Sequence, residues 1–88
     1  MSGSLTVAVI GLGKIGLPIA AQYASRGRMV IGVDVRADVV ATVNSGKSHI
    51  VGEPSLDGRV SQAVADGSLR ATQDTASAVA EASVVCSS

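Results

Sequence analysis

Apolar positions in this chain come in short blocks separated by helix-like stretches. Leu5-Thr6-Val7-Ala8-Val9-Ile10 is β-branched and nearly all apolar. It does not alternate, and an unbroken run of this length fits a strand covered on both faces, as in a parallel sheet. Met29-Val30-Ile31-Gly32-Val33 repeats the pattern and ends in Asp34. Between the two runs, residues 15–26 predict a helix. Ile15, Ile19 and Tyr23 recur every four residues as its apolar stripe, and Ala20, Ala21 and Ala24 allow close approach to a sheet. Pro18 falls in the first turn, where its missing N–H costs least, and Gly27 is a good stop. Residues 37–45 predict a second helix with Val39, Val40 and Val43 inward and Gly46 as its end. A turn-rich stretch over 47–54 leads to a third helix over 56–66, with Val60, Ala63 and Val64 inward and Gly67 ending it. Leu69-Arg70-Ala71-Thr72 reads as a short strand. Asp74 or Thr75 caps a fourth helix reaching Ala82, and residues 83–86 open a fourth strand.

Strands separated by helices imply crossover connections and a parallel sheet. The expected fold is α/β, a doubly wound parallel sheet of about four strands with helices on both faces, truncated. The strand at 5–10 should lie between the strand at 30–34 and the one at 83–86, the reversal of order that opens a crevice for a ligand. Residues 1–4 read as a loose N-terminus and 5–88 as the first half of a domain whose second half lies elsewhere, so the sequence reads as a fragment of a longer protein.

Composition narrows the function. With 88 residues there is room for one small domain. Seven Lys+Arg balance seven Asp+Glu, which argues against a nucleic-acid partner or a polybasic membrane contact. A hydrophobic fraction of 47% excludes a disordered chain. One Tyr, no Phe and no Trp leave the core to Val, Ile, Leu and Ala. Cys86 alone excludes an internal disulfide and any multi-cysteine metal site. No apolar run approaches the roughly 18 residues of a membrane span, and the expected location is the cytoplasm.

The informative segment is GLGKIG. Gly11, Gly13 and Gly16 have the spacing G-x-G-x-x-G, after a predicted strand and opening a predicted helix. Asp34 follows eighteen residues after Gly16, at the end of the next strand. That context turns a weak pattern into a dinucleotide-binding one and gives the fold class its name, Rossmann-like. Gly11 allows the tight turn, Gly13 lets a pyrophosphate approach the backbone, and Gly16 lets the helix pack on the strand. The candidate contacts are the backbone of Gly11, Leu12, Gly13, Lys14, Ile15 and Gly16, with the helix dipole behind them. Asp34 can accept from the ribose hydroxyls, and its charge would repel a 2′-phosphate, favouring NAD over NADP. Arg36 is either a contact along the adenosine or a solvated surface charge. The alternative to all of this is a helix packed on a sheet with incidental glycines.

Other candidates read more plainly. The Lys14 side chain should project outward. His49 is a lone histidine in a polar loop, without partners for a metal or catalytic role. Glu53-Pro54 starts the third helix. Cys86 has no base or helix N-terminus beside it and reads as a buried structural thiol.

VAVIGLGKIGLPIA, VIGVD, NSGKSHIVGEPSL and GSLRAT resemble the N-terminus of the UDP-sugar dehydrogenases, over nearly the whole chain. The GLPIA continuation and the I-x-x-E-P-x-L segment are the family-like features beyond a generic Rossmann start. The His-Ile-Val run before Glu53-Pro54 is closer to the UDP-N-acetylmannosamine branch than to the UDP-glucose branch. The resemblance implies a four-electron oxidation of a sugar C6 alcohol to an acid with two NAD, through a cysteine-bound intermediate, in polysaccharide biosynthesis. It implies a UDP-sugar substrate and a homo-oligomer. It carries onto this chain only the glycine turn and Asp34. The family's catalytic cysteine lies far downstream and Cys86 does not match it, so no catalytic residue is expected here and the chain alone should not turn over. Two departures stand out. Many members have Lys or Arg five residues after the ribose acid, where this chain has Val39. Many read I-x-E-P, whereas Val51-Gly52 separate Ile50 from Glu53 here. The competing readings are a 6-phosphogluconate or β-hydroxyacid type dehydrogenase and a non-catalytic nucleotide sensor. Both share the glycine start and lack the Glu53-Pro54 segment.

Overall fold

The computed structural model describes residues 5–49 and 54–87. In chain order the elements are β1 (Thr6–Ile10), α1 (Gly16–Ser25), β2 (Met29–Val33), α2 (Ala37–Asn44), α3 (Pro54–Ala65), β3 (Leu69–Thr72), α4 (Thr75–Glu81) and β4 (Val84–Ser87). All four strands pair in parallel in one sheet of order β3-β2-β1-β4. β1 therefore lies between β2 and β4, as the expected reversal of strand order requires. The chain steps outward from β1 to β2 to β3 and then crosses back to the other side of β1, so the order reverses beside β1. Residues 1–4, Glu53 and Ser88 carry expectations that lie outside the described residues.

The two faces are covered differently. Val7 and Val9 of β1, Val30 of β2 and Leu69 and Ala71 of β3 form the main core with residues of α1, α2 and α3. Ala8, Ile31 and Val33 point the other way and meet Ala78 of α4. Helices lie on both faces, and period-two alternation sorts the side chains between them.

The inner face of α1 is the alanine face expected to approach the sheet, without the Ile15, Ile19 and Tyr23 stripe. Leu17, Ala20, Ala21 and Ala24 are buried, while Ile15 is 69% exposed and Ile19 and Tyr23 are only partly covered. The small side chains win the inner face because they let the helix backbone come close to the strands, as it must where α1 leaves β1 through a short turn. Ile19 and Tyr23 instead line an open surface cavity of about 270 Å³ with Gln22 and Arg26. The other inward assignments hold: Val39, Val43, Val60 and Ala63 are buried, with Val40 and Val64 at the margin.

Three helices end in the same way. Gly27, Gly46 and Gly67 have φ of 83°, 86° and 77°, the left-handed region that glycine enters without a Cβ clash. Around each, two backbone N–H groups turn back onto the last carbonyls: Gly27 to Ala24 and Arg28 to Tyr23, Gly46 to Val43 and Lys47 to Thr42, Gly67 to Val64 and Ser68 to Ala63. This satisfies carbonyls that the helix leaves without partners. α3 begins at Pro54, two residues earlier than expected. A proline at the first helical position gives up only an N–H that has no intrahelical acceptor. The Asp74 carboxylate caps α4 by accepting from the Ser77 N–H at 3.1 Å.

The outer edge of β3 is closed by a side chain. Asn44, the last residue of α2, donates to the Ala71 carbonyl at 2.9 Å and accepts from the Ala71 N–H at 2.8 Å. The amide continues the ladder where, among the described residues, no further strand pairs with β3. Asn44→Ala should strand both backbone groups and cost about 1–3 kcal/mol. At about 4–8 °C per kcal/mol for a domain of this size, thermal unfolding will show the loss as a lower Tm. An unchanged Tm would show that solvent replaces the amide without cost.

Candidate functional site

The site is built where β1 and β2 end and α1 begins. Gly11 continues the pairing of the strands, its N–H donating to the Val33 carbonyl at 2.7 Å. Its φ of 92° then turns the chain out of the sheet, a conformation costly for any residue with a Cβ. Leu12 follows with its side chain fully buried. It lies over Gly32 in β2: a Cβ added at Gly32 would meet Leu12 Cδ1 and Cδ2 at 2.8 Å. The glycine in the second strand is therefore the seat for the leucine in the turn.

The Leu12 N–H donates to Asp34 Oδ2 at 3.0 Å. The other carboxylate oxygen, Oδ1, accepts from the Arg36 N–H at 3.0 Å. One acidic side chain thus ties the glycine turn to the end of β2. These bonds favour the charged form, and the Asp34 carboxyl sits below its ordinary 3.8, chiefly through the Arg36 backbone bond, with partial burial acting against it and the Leu12 bond adding to it. A carboxylate has about four acceptor positions, so capacity remains for further donors.

Gly13 opens onto free space. A Cβ built there meets no atom within 4 Å, and its φ is not in the left-handed region. The fold itself does not require glycine at this position. What requires it must approach from outside. The beginning of α1 lacks a side-chain cap, since Ile15 occupies the N-cap position and the first turn contains no acid. The first N–H groups of a helix have no intrahelical acceptors and carry the positive end of its dipole. Lys14 and Ile15 are exposed beside them, and Gly16 is buried against the sheet. A backbone turn, an uncapped helix start and a fixed carboxylate present donors and an acceptor of the kinds that a pyrophosphate and a ribose require.

The remaining candidates divide. The Arg36 guanidinium pairs with the Asp38 carboxylate at 2.9 Å on an exposed surface. Val39 is buried in the core, so the position five residues after Asp34 offers nothing to the adenosine side. Cys86 pairs with Val9 in the sheet and packs, partly buried, against the main core. His49 is the residue that sequence reasoning missed. Its ring Nε2 is hydrogen-bonded to the Leu12 carbonyl, 37 positions away in the chain. No local pattern signals that contact, because it depends on how the segment after α2 folds over the turn. Among the described residues, no group of three His, Cys, Asp or Glu can hold a metal ion, and no helix is long and apolar enough to cross a membrane.

Residues 5–87 match the family model described as the UDP-glucose/GDP-mannose dehydrogenase family, NAD binding domain. The chain is 57% identical over 67 residues to the UDP-N-acetyl-D-mannosamine dehydrogenase of Salmonella typhi, 76% of this chain and 16% of that protein. It is 55% identical over 69 residues to an NDP-N-acetyl-D-galactosaminuronic acid dehydrogenase of Ralstonia nicotianae, 78% of this chain and again 16% of the relative. Among solved structures, a ternary complex of GDP-mannose dehydrogenase from Pseudomonas aeruginosa superposes with a TM-score of 0.90 at 36% identity, covering 93% of this chain and 19% of that one. The chain thus spans about a sixth of the length of the curated relatives it matches.

The pH dependence of stability follows from Asp34. Its folded pKa is depressed, so its contribution is fully present above the unfolded value of about 3.9 and is lost as pH falls through the folded value. Denaturation of the wild type and Asp34→Ala between pH 7 and pH 2.5 should show a constant gap down to about pH 4, narrowing below it. A gap that ignores pH would mean that the charge of Asp34 does not hold the turn.

Proposed function

The chain belongs to the UDP-glucose/GDP-mannose dehydrogenase family, and on that premise we propose that it is the NAD-binding part of a nucleotide-sugar 6-dehydrogenase. NAD is the cofactor of the family's domain. In this reading the backbone of Gly13, Lys14, Ile15 and Gly16 holds the pyrophosphate. Gly11 and Leu12 shape the turn from within, and Asp34 accepts from the adenosine ribose. The observation that carries the assignment is the Leu12–Asp34 hydrogen bond. It holds the Asp34 carboxylate against the glycine turn, and Gly13 beside it stays open outward.

Bound NAD supplies a hydride acceptor. This chain's part is to fix the adenosine and pyrophosphate so that the nicotinamide end is presented to a sugar. The negative charge of Asp34 favours a free 2′-hydroxyl over a 2′-phosphate, and the guanidinium of Arg36 is engaged by Asp38. The whole protein would oxidise the C6 alcohol of a nucleotide sugar to an acid in two hydride transfers. The relatives' names favour an N-acetylated hexosamine carried on UDP as the sugar. The cysteine and the sugar contacts of that reaction would come from outside these 88 residues. We place the activity in the cytoplasm, in a homo-oligomer that serves polysaccharide biosynthesis.

Gly13→Val separates binding from folding. A Cβ there has open space, with no atom within 4 Å beyond its chain neighbours, so the unfolding midpoint should hold while calorimetric titration with NAD shows affinity lost by more than tenfold. Asp34→Ala should weaken NAD by about 1–3 kcal/mol and narrow the preference over NADP. Undiminished NAD affinity in Gly13→Val would remove the turn from the site.

A further inference from the structure

The turn is held from two sides, and only one of them is Asp34. The Leu12 N–H belongs to the peptide between Gly11 and Leu12, and Asp34 takes it. The Leu12 carbonyl belongs to the next peptide, shared with Gly13, and the ring Nε2 of His49 takes that. A carbonyl only accepts, so Nε2 carries the hydrogen and donates. In a planar trans peptide the C=O and N–H point in opposite directions. Holding the Leu12 carbonyl toward His49 therefore turns the Gly13 N–H away from it.

His49 is itself held in place. It ends a segment in which the Lys47 N–H donates to the Thr42 carbonyl at 3.2 Å. The Ser48 N–H donates to Asp57 Oδ1 in the first turn of α3 at 2.6 Å. The half-buried ring thus reaches the turn from a segment braced by both α2 and α3.

Resting on the cofactor reading above, we propose that His49 is a positioning residue of the NAD site: its hydrogen bond to the Leu12 carbonyl fixes the Leu12–Gly13 peptide so that the Gly13 N–H is presented to the pyrophosphate. Without the imidazole the Leu12 carbonyl loses this hold on its orientation, and an incoming phosphate must order the Leu12–Gly13 peptide at the expense of affinity. Glutamine places an amide N–H near where Nε2–H stood, so it should restore the bond, whereas alanine should not.

The test has two readouts on the wild type, His49→Ala and His49→Gln. In the free protein, the ¹³C shift of the Leu12 carbonyl reports the hydrogen bond directly. With NAD, calorimetry reports affinity, and a thermal scan checks folding. In His49→Ala the carbonyl resonance should move, and the Kd for NAD should rise about five- to tenfold, the order of one lost hydrogen bond. The Tm should change little, and His49→Gln should recover both readouts. An unmoved Leu12 carbonyl in His49→Ala would overturn the inference, as would a moved carbonyl with unchanged affinity, or a His49→Gln no better than alanine. A wild type that binds no NAD would instead sink the cofactor reading, and this inference with it. A wild type that binds while His49→Ala binds equally sinks this inference alone.

Discussion

The hydrogen bond from the Leu12 N–H to the Asp34 carboxylate is the constraint on which the rest of the site depends. It joins the exit of one strand to the exit of its neighbour, and so sets where the chain turns into α1. Both groups would otherwise need water. The amide has left the ladder of β1, and the acid stands past the end of β2. Bringing them together satisfies a backbone donor and fixes a negative charge against the glycine turn. The same carboxylate keeps acceptor capacity to spare. The group that builds the turn can therefore also recognise what lies on it.

Packing beneath the turn makes the arrangement rigid. Leu12 drops into the space left by the missing side chain of Gly32, and α1 settles on the sheet through Leu17 and three alanines. Small residues on the helix and a glycine in the strand are two parts of one adjustment, which lets the start of α1 sit directly over the sheet. β1 and β2 then supply a floor that is apolar on both faces, so each strand is fixed from above and below. The Leu12 side chain moves only if this core moves, while the orientation of the Leu12–Gly13 peptide depends on the bond at its carbonyl.

Most of the architecture was legible in the sequence because it rests on local rules. The runs at β1 and β2, the glycine stops after α1, α2 and α3, and the Asp74 cap all follow from period, propensity and capping. The strand order followed from the reversal that a dinucleotide crevice requires. What was misread or missed depends on tertiary packing. The four-residue recurrence of Ile15, Ile19 and Tyr23 looks like a buried stripe. Closeness to the sheet selects the alanine face instead. Gly32 reads as a weak strand residue until Leu12 is seen above it. Asn44 and His49 look like ordinary polar positions, and their partners Ala71 and Leu12 lie 27 and 37 residues away. Arg36 reads as either an adenosine contact or a surface charge, and its exposed pair with Asp38 is a contact that spacing alone does not announce.

The central claim is that the cofactor lies across the junction made by the glycine turn and Asp34. Backbone amide shifts recorded while NAD is titrated into the labelled protein locate the ligand residue by residue. The account predicts that the largest changes fall on Gly11 to Gly16 and on Val33 to Arg36, with the groove between α1 and α3 unaffected. Changes centred on that groove, around Ser25, Gly58 and Gln62, with the turn silent, would contradict it.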